Sequence, residues 1–234
     1  MPQDLEMSEP VEITKEVVRE VVLSGSQETR ERFLKEYGDE VERFVEAFHG
    51  AYQRFKEVET RVENDQRSAW SQMFLYADLN SLVTSTHLLI SGFISPSGNL
   101  MRQFGESVAM ALLLSHRGIN TYEVFSKAPK EFSVNKAVGY ASKAENAKLL
   151  NLNKKGWASF REITAFYDKY SHASALTAAS MVMLGTKGGL AFGSEFDEEK
   201  KPAYKVELSR RISACASLIG VIEQVEDQLL HSEE

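Results

Sequence analysis

Cysteine is nearly absent from this sequence: 234 residues contain a single one, Cys215. One cysteine excludes an intramolecular disulfide, which is the usual staple of small secreted domains. The opening residues MPQDLEMSEP also lack the basic start and the apolar run of a signal peptide. We therefore expect a protein of the reducing cytoplasm.

Patterns that hold metals or cofactors are missing as well. The five histidines are scattered, which leaves a zinc site of cysteine and histidine unsupported. A di-iron bundle needs two Glu-x-x-His pairs, and only Glu46 with His49 fits. The glycine-rich stretch 185–193 lacks the Lys-Ser/Thr ending of a phosphate-binding loop, and no serine sits in a nucleophile elbow. The sequence predicts no metal, no cofactor and no complete catalytic motif.

A long uninterrupted apolar run is also lacking. The longest apolar stretch, residues 73–94, contains Asp78, Asn80 and His87. Such polar side chains are costly inside a bilayer, where they have no water to solvate them. We interpret this stretch as a buried core helix and expect no membrane partner.

The net charge of −7 is unevenly distributed along the chain. Residues 1–65 carry a net charge of −8, residues 66–126 none, residues 127–170 a charge of +5, and residues 171–234 a charge of −4. This asymmetry indicates either a basic face for a polyanion, or two oppositely charged segments that lie together within the fold or across a dimer. The second interpretation needs no ligand and is the simpler one.

Helical periodicity dominates what is present, and we find no strand of any length and no internal repeat. Ser26 is a good N-cap for a long helix over residues 27–62, which packs along a bundle or pairs with a second copy of itself. Its apolar residues recur at steps of three and four: Phe33, Tyr37, Val41, Phe44, Phe48, Ala51, Phe55, Val58 and Val62.

The rest of the chain predicts an all-α helical bundle. Residues 1–25 form an arm or short helix, and residues 26–234 form one bundle domain with a loop at about 185–203. A break is expected at residues 95–98, where Ser, Pro, Ser and Gly follow each other. The helix predicted over residues 99–115 is apolar on nearly every side and is therefore expected at the centre of the bundle. Further helices are predicted over residues 70–93, near Tyr122, and over residues 134–150, 156–184 and 204–230.

Arg102 and Glu106 are one turn apart on that central helix. If the helix is buried, both charges need partners, most simply each other. The simplest interpretation is a salt bridge that sets the helix register. The alternative is a ligand-binding or catalytic role.

A second polar cluster lies in the run GWASFREITAFYDKYSHASALTAAS. If this helix is continuous, Arg161, Asp168 and His172 share one stripe, and Asp168 can accept a hydrogen bond from the ring of His172. A histidine oriented in this way can act as a general base or bind a phosphate. The alternative is a core histidine whose hydrogen bonds are satisfied by its neighbour.

Three segments together resemble a pattern in bacterial helical proteins related to the HEPN superfamily. They are ISPSGN at the end of an apolar helix, LMRQFGESVAMALLL with its Arg-x-x-x-Glu spacing, and YDKYSHAS. The resemblance covers residues 70–185 and implies a helical bundle, commonly a homodimer. Many such proteins are ribonucleases or nucleic-acid-associated proteins of toxin and anti-phage systems.

The nuclease motif of that superfamily, an arginine followed after four to six residues by a histidine, is not matched in the expected helix. Only Arg43 and His49 have this spacing, and they lie in the long N-terminal helix. His172 has no arginine at that distance. The resemblance therefore implies the fold more than the activity, and RNA chemistry would require His172 with Arg102 or Arg161.

The sequence thus predicts a HEPN-like helical binding or regulatory module, associated with RNA or DNA and forming a homodimer. The predicted nucleic-acid contacts are Lys136, Lys143, Lys148, Lys154 and Lys155. One alternative is a metal-independent ribonuclease that uses His172, Arg102, Glu106 and Asp168. A second is a protein-interaction scaffold joined through residues 27–62.

Overall fold

The computed structural model describes residues 13–23, 25–127, 136–151, 154–171, 174–185 and 189–231. Across these ranges the fold is all-α, as the sequence predicted, with one short hairpin. The elements in chain order are α1 (Lys15–Leu23), α2 (Gln27–Arg61), α3 (Gln66–Ile90), α4 (Ile94–Ser115), α5 (Thr121–Lys127), α6 (Ala137–Ala141), α7 (Ala144–Leu149), α8 (Lys154–Asp168), α9 (Ala175–Met181), β1 (Val182–Met183), β2 (Gly189–Leu190) and α10 (Lys201–His231).

Helices α2, α3, α4 and α10 form the bundle. The ring of Phe55 lies 6.1 Å from that of Tyr76, and Arg30 Nη2 donates to Ser91 Oγ at 3.2 Å, so α2 and α3 are antiparallel. Helix α4 returns along α3 after the turn at residues 91–93 and is the most buried element: every residue from Val108 to Ser115 is buried. This confirms the central position predicted for residues 99–115.

Helix α10 runs parallel to α2 and closes the bundle. The Tyr37 hydroxyl donates to the Lys201 carbonyl at 2.9 Å, and further along Arg54 pairs with Glu226. The apolar seam predicted on α2 faces this core, with Phe33, Tyr37, Phe44, Ala51, Phe55 and Val58 buried. Ser26 does occupy the N-cap position, but its side chain makes no capping hydrogen bond.

Helix α8 packs on the remaining face of α4 at a close approach. A Cβ placed on Gly105 of α4 would lie 2.7 Å from Thr164 Oγ1 of α8, so only glycine allows this spacing. Helix α1 has no buried residue, although Val21 contacts the backbone at Gly193. None of the described helices is long and apolar enough to cross a membrane.

The helix break predicted at residues 95–98 is wrong, because the break lies about one turn earlier in the chain. Helix α4 begins at Ile94, so Pro96 is its third residue, where a backbone N–H has no partner within the helix. The chain instead reverses at residues 91–93, where Gly92 has a φ of +80°. The loop predicted at about 185–203 also ends earlier than expected, because α10 begins at Lys201 and Pro202 is its second residue.

The single helix predicted over residues 134–150 is divided in the part that the structure describes. Lys143 has an extended ψ of 141°, which separates α6 from α7. The Tyr140 carbonyl, which a continuous helix would pair with the amide of residue 144, accepts from the Lys143 amide at 3.2 Å and from Asn146 Nδ2 at 3.0 Å. The side chain of Asn146 thus competes with the helix backbone.

The helix predicted over residues 156–184 is also divided, because α8 ends at Asp168 and α9 begins at Ala175. Ser174 caps α9 by accepting from the Thr177 amide at 3.2 Å, and its hydroxyl donates to the Lys169 carbonyl at 2.5 Å. The glycine-rich loop that follows contains an antiparallel pair of two-residue strands, β1 and β2.

Candidate functional site

Arg102 of α4 lies between two carboxylates, Glu106 one turn later and Asp168 at the end of α8. Its Nη2 donates to Glu106 Oε1 at 2.8 Å, and its Nε donates to Asp168 Oδ1 at 2.9 Å. The ion pair predicted between Arg102 and Glu106 is present, and Asp168 joins it from a second helix. The Arg102 and Glu106 side chains are 18% and 14% exposed, so the cluster lies at the edge of the bundle, not in its water-free interior.

The charges around this cluster leave a negative excess. A groove of about 580 Å³ between α4, α6 and α8 is lined by Arg102, Arg161, Glu106, Glu162 and Asp168, which are two cations and three carboxylates. Burial raises the pKa of Glu106, and the charge of Arg102 opposes that shift. An excess of carboxylate repels a phosphate, so the observed arrangement is suited to holding α8 on α4.

The stripe proposed for Asp168 and His172 required a helix that continues past residue 168. Because α8 ends at Asp168, the two residues are not one turn apart on a continuous helix. His172 itself lies outside the described residues. Its role as a general base therefore stays a prediction.

The lysines predicted to contact nucleic acid lie around α6 and α7. Lys136, Lys143 and Lys148 are exposed, and Lys143 Nζ lies 4.8 Å from the centre of the Tyr140 ring. Ala137 and Ala141 of α6 are fully buried, so α6 packs on the core through these two residues. The side chains of Lys154 and Lys155, at the start of α8, lie outside the part of the chain that the structure describes.

Sequence reasoning missed a buried charge network on α10. Arg211 is fully buried; its Nη1 donates to Glu207 Oε2 at 2.8 Å and its Nη2 donates to Ser97 Oγ at 2.6 Å. Glu207 also accepts from the Tyr167 hydroxyl at 2.8 Å and from Arg210 Nη1 at 2.7 Å. The network joins α10 to α4 and α8, with two guanidinium groups for one carboxylate.

A pattern in the sequence could have revealed Arg211. It occupies one position of a stripe with alternating steps of three and four, in which Leu208, Cys215, Leu218 and Ile222 are all buried. A stripe defined by apolar residues alone omits such a charged position. A charge at a seam position is itself a sign of a buried network.

Asp78 of α3 differs from Arg211 in its surroundings. From the sequence, Asp78 is only a polar residue that interrupts an apolar stretch. It is fully buried, and neither carboxylate oxygen has a hydrogen-bond partner within the described ranges. Leu75, Leu79 and Leu82 are buried beside it on the same helix. Burial without a partner raises the pKa of Asp78 well above its usual range.

Within the described ranges, no three histidine, cysteine, aspartate or glutamate side chains are placed to hold a metal ion. Comparison of the chain with protein-family models, curated proteins and solved structures gives no match.

Proposed function

We propose that the protein is a helical binding module that associates with a nucleic acid through α6, α7 and the start of α8. In this proposal Lys136, Lys143, Lys148, Lys154 and Lys155 contact phosphate groups, and no chemical step is catalysed. The resemblance to HEPN-related proteins supports the same expectation.

The observation that carries the proposal concerns Lys136, Lys143 and Lys148, the three of these lysines whose side chains the structure describes. Among the described residues, none of Lys136, Lys143 and Lys148 has a carboxylate within ion-pair distance. Exposed cations that are not neutralised by the protein release counterions when they meet phosphates, which favours binding to a nucleic acid.

The ion pairs of α2 support this proposal over the alternative in which the acidic segment 1–65 and the basic segment 127–170 neutralise each other. Glu36 pairs with Lys201 at 2.9 Å, Arg32 with Glu198 at 3.1 Å, and Arg54 with Glu226. These partners of the acidic N-terminal segment lie in or next to α10. Among the described residues, no ion pair of α2 involves a residue of the basic segment 127–170.

The test is titration of the protein into labelled single-stranded RNA and duplex DNA at several salt concentrations. Changing Lys136, Lys143 and Lys148 together to Glu should weaken binding. It should also reduce the steepness of the slope of log affinity against log salt concentration by about 2 for single-stranded RNA, since each lysine contributes about 0.7 to that slope.

A matched control changes Lys15, Lys35 and Lys205 to Glu, because these exposed lysines lie on other helices and the net charge changes equally. This control should bind more tightly than the first variant. Equal weakening by both variants would mean that only net charge matters, and no binding at low salt would refute the proposal.

The ribonuclease alternative is tested in the same RNA samples. It assigns catalysis to His172 with Arg102, Glu106 and Asp168. It requires Arg102 to leave at least one of its two carboxylate partners, which makes it the less favoured proposal. Cleavage that His172→Ala abolishes would establish the alternative and replace the proposed role.

Self-association through the long helices is favoured by a separate observation. Exposed apolar side chains occur on α2 and α3, including Val45 (50% exposed), Met73 (58%) and Tyr76 (58%). Exposed apolar groups of this kind favour a protein interface. A dimer mass in light scattering that persists at high salt, with no nucleic-acid binding, would support a scaffold in place of the binding module.

A further inference from the structure

A second groove lies on the opposite side of α8 from the arginine cluster. Its floor is α4 and its walls are α8 and α10, and its volume is about 700 Å³. Ligand pockets typically have about 300–1,000 Å³ and a mainly apolar lining. Phe104 and Val108 on the floor, with Trp157 and Phe160 on one wall, make this groove apolar.

The groove is long, because its walls follow the helix axes. Its lining on α10 extends from Val206 to Gln224, which at 1.5 Å per residue corresponds to about 27 Å. Beyond Val206, the exposed residues on the α10 wall are small: Ser209, Ser213, Ser217 and Gly220. An elongated apolar groove with a low rim fits a linear chain better than a compact ring system.

One end of the groove carries a positive charge. Among the described side chains that line the groove, Arg210 alone is charged. Its guanidinium lies 4.4 Å from the centre of the Phe166 ring. Its carboxylate partner, Glu207, is shared with the fully buried Arg211, so the cluster has one cation in excess. The Arg210 side chain is 33% exposed and can reach an anionic group at the groove mouth.

Trp157 lines the groove away from Arg210. It provides an indole N–H group, and its fluorescence can report on what occupies the groove. Its indole Nε1 is buried without a hydrogen-bond partner. The other tryptophan, Trp70, packs edge-on against Phe125 at 5.1 Å and does not line the groove. Fluorescence from the two tryptophans therefore distinguishes occupation of the groove from binding elsewhere.

We propose that this groove binds a long-chain carboxylate, with the acyl chain along α4 between α8 and α10 and the carboxylate at Arg210. The apolar lining excludes water from the chain, and the excess positive charge at one end selects an anionic head group. This proposal does not depend on the nucleic-acid contacts proposed above, because Lys136, Lys143 and Lys148 do not line the groove.

The first experiment uses the Trp70→Phe variant, in which Trp157 is the remaining tryptophan. Titration with a brominated stearate should quench its fluorescence, since bromine quenches tryptophan on contact. The Trp157→Phe variant, which retains Trp70, should show no quenching. If Trp70→Phe does not fold, the difference between the wild-type protein and Trp157→Phe gives the same information.

Chain length and head group are tested next by competition against the brominated probe. From laurate to palmitate, each added methylene should strengthen binding about fourfold, as expected for full burial of a CH₂ group. Arg210→Gln should weaken palmitate binding about tenfold and leave hexadecanol binding unchanged.

A final variant fills the groove. A Cβ added at Gly220 meets no atom within 4 Å, so Gly220→Phe places a ring in the groove without a clash in the backbone. It should weaken palmitate binding at least about tenfold. Three outcomes would overturn the proposal: no quenching of Trp157, equal affinity for palmitate and hexadecanol, or a dimer that Gly220→Phe dissociates, since the groove would then hold a second copy of the chain.

Discussion

At the residue scale, two fully buried ionisable side chains have opposite environments. Arg211 donates to a carboxylate, a carbonyl and a hydroxyl, whereas Asp78 has no hydrogen-bond partner. Burial acts to raise the pKa of Glu207, but Arg211 and the hydrogen bond from Tyr167 reverse this and lower it. Glu207 therefore favours the ionised form, whereas Asp78 favours the neutral acid.

The Asp78 carboxyl gives a pH-dependent prediction. Because its pKa is raised in the folded protein, its contribution to stability is complete below the unfolded pKa of about 3.9 and is lost as pH rises through the folded pKa. Asp78→Asn removes this loss. We expect the variant to raise the melting temperature at pH 7.5 by more than at pH 4.5, measured by circular dichroism.

The control for this prediction is Asp39→Asn, a change at an exposed position on α2. It should shift the melting temperature by a similar small amount at both pH values. A melting temperature of Asp78→Asn below that of the wild-type protein at pH 7.5 would show that the carboxylate has a stabilising partner.

At the element scale, helix ends depend on a few side chains and close contacts. The α3–α4 turn requires Gly92, because its φ is +80° and a Cβ there would lie 2.5 Å from the Glu195 amide nitrogen. Ser174 and Asn146 end neighbouring helices by bonding to backbone groups. Hydrophobic periodicity contains no information on such competition.

We predict that Gly92→Ala destabilises the protein by about 2 kcal/mol or more, since both the left-handed backbone and the contact with residue 195 disfavour a Cβ. Gly50→Ala is the matched control. Its Cβ would meet only the Ile219 methyl at 4.0 Å, inside α2, so it should stabilise by about 0.5–1 kcal/mol. Urea denaturation measures both, and a stable Gly92→Ala variant would contradict the assigned turn.

At the scale of the whole molecule, burial divides the helices into two groups. Helices α2, α3, α4 and α10 share a continuous core, whereas α9 has no buried residue and α8 is attached through Tyr167, the Arg102 pairs and close contacts at two α4 glycines. Helices with few buried contacts open locally at lower free energy than the global unfolding of a domain.

Hydrogen exchange measured by mass spectrometry should therefore show faster exchange in peptides from α8 and α9 than in those from α4. Protection in α4 should approach the global stability and serves as the internal reference. Arg102→Gln, which removes both ion pairs to Glu106 and Asp168, should accelerate exchange in α8 and leave α4 unchanged. Uniform protection across all helices would refute this division.

The amino-acid sequence by itself determined the fold class, the long helix α2, the central position of α4 and the Arg102–Glu106 pair. Each of these depends on side chains three or four residues apart, whose geometry a helix sets locally. The tertiary structure alone decided that Asp168 joins Arg102, that Arg211 donates to Ser97 of α4, that α8 ends before residue 172, and that a groove remains between α8 and α10. These features depend on contacts between residues distant in sequence, and no local spacing encodes them.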